Sequence, residues 1–111
     1  MFKPSFRQGL ENLDWKIKET EDTAKLEKDS ALTTMAAKAV IKRLQDGSYS
    51  YVVRLFDPDG NVIKGYASSG DSLALFGDIL LGIIESYLSG ATNVPEDLSY
   101  FKRYRKKTAH S

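Results

Sequence analysis

The sequence predicts a small α+β domain, and three observations carry that expectation. Residues 48–56 and 61–68 are rich in aromatic and β-branched side chains and flank Asp57-Pro58-Asp59-Gly60, the signature of an antiparallel β-hairpin. Ser72 to Ser89 is apolar around almost its whole helical circumference. The stretches before and after these two repeat apolar residues at helical spacing. Together they give the order α-α-β-β-α-α in a single domain spanning residues 1–111, with 1–7 and 106–111 as flexible termini.

The first helix is expected from Gln8 to about Asp29. Leu10, Leu13, Ile17 and Ala24 form a narrow apolar stripe on an otherwise charged segment, with Trp15 off the stripe. Ser30 is a candidate N-cap for a second helix, although the first helix running on is equally compatible with the pattern. From Ala31 to Gln45 the apolar positions Leu32, Met35, Ala36, Ala39, Val40 and Leu44 again recur at helical spacing among good helix formers. Asp46-Gly47 supplies a stop, since glycine takes the left-handed conformation that ends many helices.

The hairpin follows, with Pro58 and Gly60 placed for a type I turn and a bulge. Two registers fit: a four-residue loop pairs Leu55 with Val62 and Tyr51 with Tyr66. A bulged three-residue loop instead pairs Leu55 with Ile63 and Tyr51 with Ala67. Ser68-Ser69-Gly70-Asp71-Ser72 then offers N-caps for the third helix, whose polar stripe is Asp78, Gly82, Glu85 and Ser89. Pro95, with Glu96 and Asp97, suits the first turn of a fourth helix carrying Leu98, Tyr100, Phe101 and Tyr104.

An isolated two-stranded hairpin is marginal, and the third helix has more apolar surface than that hairpin and one amphipathic helix would cover. Both facts predict a homodimer, with Phe76, Gly77, Leu80 and Ile84 at its interface or the hairpins joined into a four-stranded sheet.

The chain has no cysteine, which removes disulfides, thiolate metal sites and cysteine nucleophiles. No long apolar run or signal-like N-terminus occurs, so a cytoplasmic protein without membrane association is expected. His110 is the sole histidine and stands second from the end, so neither a triad nor a histidine-rich metal site is expected from it. Asp57 to Asn61 superficially matches a calcium loop but has its glycine at position four rather than six. Neither the phosphate-loop spacing nor that of a nucleophile elbow is present around Gly65 to Ser72. No cofactor or metal is expected, and binding is favoured over catalysis.

Two partner-binding readings emerge. The first is a non-enzymatic protein-interaction or regulatory factor, itself a homodimer, that contacts an unknown protein partner through Trp15, Ile17, Tyr49 and Tyr51, since Trp and Tyr are favoured interface anchors. The second is nucleic-acid binding by the C-terminal run Lys102, Arg103, Tyr104, Arg105, Lys106 and Lys107, following Tyr100 and Phe101, where cations would meet phosphates and aromatics would stack on bases. That run holds five of the 16 basic side chains and leaves 11 against 15 acidic residues in the rest of the chain.

Overall fold

In the computed structural model, which describes residues 2–30, 33–71, 73, 76–90 and 94, the domain is built on a five-stranded antiparallel sheet. A short helix α1, Pro4–Asn12, leads into β1 (Lys16–Glu19), β2 (Thr23–Asp29), β3 (Ala36–Arg43), β4 (Tyr49–Phe56) and β5 (Val62–Gly70). The strands lie side by side in chain order, a simple meander. A π-helical turn, Phe76–Leu80, then runs straight into α2, Leu81–Leu88. The small α+β class stands, but the order α-α-β-β-α-α is replaced by one helix, five strands and a helix. The expected fourth helix lies outside the described residues.

The two N-terminal helices expected over 8–29 and 31–45 are mostly strands, and the reason is legible in the side chains. In β2, Ala24 and Leu26 are buried while Lys25 and Glu27 are exposed. In β3, Ala37, Ala39 and Ile41 are buried while Lys38 and Lys42 are exposed. This is a period of two, so one face of each strand is apolar. The alanines that favour a helix on propensity do different work here. Ala37 and Ala39 stand on the central strand, the strand nearest α2, and their small side chains let the helix settle onto the sheet. Tertiary packing thus overrides the alanine preference.

The turns explain the rest of the difference. Gly47 has φ +86° and bonds back to Leu44, while Leu44 N–H donates to Ser48 O at 2.8 Å. The left-handed glycine that signals a helix end also closes a three-residue hairpin loop, here between β3 and β4. The loop 57–61 has the same form. Asp57 N–H donates to Asn61 O, Gly60 has φ +86°, and the Asp57 carboxylate accepts the N–H groups of Asp59 and Asn61. Ser30 Oγ accepts the Thr33 N–H at 3.3 Å, as an N-cap would, but the chain turns there into β3.

Neither expected hairpin register occurs. Phe56 pairs with Val62, but Leu55 pairs with Lys64 and Tyr51 with Ser68, so Ile63 is an extra residue in β5. This bulge shifts the strand by one position and sets Tyr66 beside Val53 on the apolar face.

That apolar face is the core. Phe76, Leu80 and Ile84 are fully buried against the chain's own sheet, together with Leu26, Ile41, Tyr51, Val53 and Leu55. Phe76 stacks on Tyr51 and on Phe2 with ring centroids 6.5 Å apart in each case, and Phe2 also meets Phe6 at 5.2 Å. Phe2 is buried and α1 begins at Pro4, so the segment expected as a loose N-terminus contributes to the core. Five strands give the third predicted helix the cover that a hairpin alone lacked.

Candidate functional site

Alternation along the strands delivers every other side chain to the face opposite the helices. On that open face the register aligns Lys18, Lys25, Val40, Val52 and Ala67 in one row. The next row is Lys16, Glu27, Lys38, Arg54 and Gly65. Lys42 stands between Thr23 and Ser50, and Asp29 stands beside Ala36 and Phe56. Lys16, Lys18, Lys25, Lys38, Lys42 and Arg54 are all exposed, against two exposed carboxylates, Glu27 and Asp29. The face is therefore +4, whereas residues 1–101 as a whole are net acidic.

The six cations occupy a patch about 14 Å across the strands and about 13 Å along β3, taking ~4.8 Å per strand and ~3.3 Å per residue. An anion over the middle of the patch is about 7 Å from its edges in either direction, inside one Debye length of about 8 Å, so the charges act together on it.

Two contacts within this patch work against the fold. Lys18 stands directly opposite Lys25, and Lys38 directly opposite Arg54. Like charges in cross-strand pairs are destabilising, where favourable pairs contribute roughly 0.2–1 kcal/mol. Among the described residues none of the six cations is held in an ion pair; the ion pairs involve Arg7 with Glu11 and Glu19, and Lys28 with Glu85. Lys38 Nζ rests 5.4 Å from the Phe56 ring centroid, so the one aromatic among the described residues of this face is already under a cation.

A second polar cluster sits under the helix. Glu85 on α2 accepts the Trp15 indole N–H at 3.0 Å and both its oxygens accept from Lys28 Nζ, at 3.1 and 3.0 Å. Lys28 also lies 6.0 Å from the Trp15 ring centroid. Farther along α2, Tyr87 Oη donates to Phe56 O at 2.9 Å and Thr33 Oγ1 donates to Leu88 O at 3.2 Å. Burial, and the Asp57 carboxylate near it, raise the Tyr87 phenol above its ordinary value. These bonds tie the helix to the sheet through Lys28 and Phe56 and to the β2–β3 connection through Thr33, and the Glu85 cluster acts as a clamp on α2.

The expected anchors fall elsewhere. Trp15 and Tyr51 are buried, and Ile17 and Tyr49 are partly buried on the helix-covered side, packed against the core. They hold the fold together and do not form an exposed contact surface. Burial pushes the Tyr51 phenol up to about 12, helped by Tyr49. Of the expected interface residues, Phe76, Leu80 and Ile84 face inward, and Gly77 lies by the Phe6 ring, with space for a Cβ 3.7 Å from it. Lys102, Arg103, Tyr104, Arg105, Lys106 and Lys107 lie outside the described residues, as does the Asp78 side chain. No group of three or more His, Cys, Asp or Glu side chains suited to a metal occurs among the described residues. No described helix is long and apolar enough to cross a membrane.

The basic face escapes a helical reading because the lysines then scatter around two cylinders. Read with a period of two, Lys16-Ile17-Lys18 and Lys38-Ala39-Val40-Ile41-Lys42 put their cations on one side, with Val40 between Lys38 and Lys42, and Ile17, Ala39 and Ile41 on the other. No protein-family model matches the chain, and no curated protein or solved structure is significantly similar to it.

Proposed function

We propose that this protein is a non-enzymatic nucleic-acid-binding factor that holds phosphates on the open face of its sheet. The observation that carries the reading is the pair of opposed like charges, Lys18 with Lys25 and Lys38 with Arg54, on a face with no ion pair among these cations. A fold gains nothing from such pairs by itself, and a polyanion turns each from a cost into a shared binding site.

The shape of the face narrows the ligand. A duplex major groove admits a helix or a two-stranded ribbon, and a flat face of four or more strands does not enter it. A single strand laid across the rows meets Lys18 and Lys25, then Lys38 and Arg54, within one patch. With Phe56 the single aromatic among the described open-face positions, binding relies on phosphate contacts more than on base stacking. It is therefore steep in salt and tolerant of sequence. The basic run 102–107 adds charge of the same sign to the chain.

Fluorescence anisotropy of a labelled single-stranded oligonucleotide against salt tests this. If all six cations meet phosphates, log K falls against log salt with a slope of about −4. The triple variant Lys25→Gln, Lys38→Gln, Arg54→Gln is expected to flatten that slope by about 2. An unchanged slope in the triple variant, or no binding at low salt, refutes the proposal.

A further inference from the structure

The two edges of the sheet are built differently. β1 is four residues long, carries Lys16 and Lys18, and is tied to α1 by the Arg7 Nη1 to Glu19 ion pair at 3.5 Å. A short, cationic edge strand is a common way of discouraging further pairing. β5 is nine residues long, has no proline and has one charge, Lys64. Among the described residues no strand pairs with its outer side. Val62 and Ile63, 52% and 47% exposed, mark its irregular start. Beyond the bulge, Lys64–Gly70 stays in unbroken register with β4.

This regular stretch is complementary to itself. Two copies run antiparallel about Ala67 set Ala67 against Ala67, Gly65 against Ser69, Tyr66 against Ser68, and Lys64 against Gly70. Every large or charged side chain then meets a small neutral one, and the two lysines stay apart. Gly65, Ala67 and Ser69 are exposed on the open face, so small residues line the approach. A pairing centred on Lys64 opposes like charges, and one centred on Tyr66 forces two tyrosines into one rung of a face where Tyr66 is already buried.

We infer that a second copy of this chain pairs with β5 through residues 64–70 about a two-fold axis at Ala67, joining two meanders into one ten-stranded sheet. Such a contact is isologous, each copy presenting the same strand. The axis stands perpendicular to the sheet, so both open faces lie on the same side. This consequence rests on the polyanion reading: the two basic patches then form one surface, and a bound strand runs across both. The pairing itself does not depend on that reading.

The absence of native cysteine makes a single introduced thiol a clean reporter. Full-length Ala67→Cys, oxidised without nucleic acid, is expected to become mostly a disulfide-linked dimer. Ser69→Cys, which the proposed register holds about 14 Å from its mate, and Lys18→Cys on the other edge are expected to stay largely single chains. Light scattering of the unmodified protein should give twice the chain mass at micromolar concentration. A single-chain mass, or equal cross-linking at residues 18, 67 and 69, overturns the inference. Since no nucleic acid is present, neither result bears on phosphate binding, which the salt series decides separately.

Discussion

The two faces of this sheet come from the same five strands and have opposite characters. One is filled with Leu26, Ile41, Tyr51, Val53 and Leu55 and sealed by Phe76, Leu80 and Ile84. The other carries six cations at spacings that include two like-charge pairs. The covered face satisfies its own requirements: its apolar groups leave water, and Glu85, which packs beside it, finds Trp15 and Lys28 within hydrogen-bond distance. The open face does not. The difference separates residues that hold the fold from residues that the proposed function gives to a partner, and Trp15 and Tyr51 belong to the first class.

Substitutions on the covered face should cost the most. Phe76→Ala removes the ring that stacks on both Tyr51 and Phe2, and should destabilise the protein by about 3–5 kcal/mol in chemical denaturation. A much smaller loss would mean that this face is not the main core.

Alkaline pH acts on the same face. A neutral Tyr51 is favoured by burial, with its ionisation pushed from 10 up to about 12. The stability linked to it is whole below pH 10 and is lost as pH rises from 10 through about 12, a change on the order of 2 kcal/mol. Denaturation midpoints between pH 8 and 12 should show this fall, and Tyr51→Phe should reduce it. A fall of equal size in the Tyr51→Phe variant would place its origin elsewhere.

Glu85→Ala leaves the Trp15 indole N–H and the Lys28 ammonium without their acceptor, and should cost about 1–3 kcal/mol. The open face should respond the other way. Lys25→Thr relieves the opposition to Lys18 and is expected to leave stability unchanged or raise it by up to about 1 kcal/mol, while weakening oligonucleotide binding. A clear loss of stability would show that Lys25 serves the fold. The smallest effect concerns Gly82, exposed in α2 with no described residue near its Cβ position. Gly82→Ala should gain up to about 1 kcal/mol, and a loss would point to a close neighbour on that side of the helix.

The α+β class, the 57–61 turn and the need of the Ser72–Ser89 segment for extensive cover were legible in the sequence, because each rests on a local rule. Pro58 and Gly60 fix the turn by their backbone preferences, and an all-round apolar helix has to be covered whatever covers it. The first three strands were not legible for equally physical reasons. Ala36 to Ala39 favours a helix in isolation, and only the helix lying over the central strand makes small residues correct there. Glu21-Asp22, which joins β1 to β2, has none of the glycine or asparagine that marks a tight hairpin. Gly47 ends a helix as readily as it closes a hairpin. With those strands read as helices, the lysines had no common face, and the C-terminal basic run was left as the visible cationic feature.

Chemical-shift mapping of the isotopically labelled full chain during titration with a single-stranded oligonucleotide tests the central claim most directly. The largest amide changes are expected at Lys18, Lys25, Lys38, Val40, Val52 and Arg54, with little movement at residues 81–88 of α2. Changes confined to α1 and α2, with the open face silent, would contradict that claim.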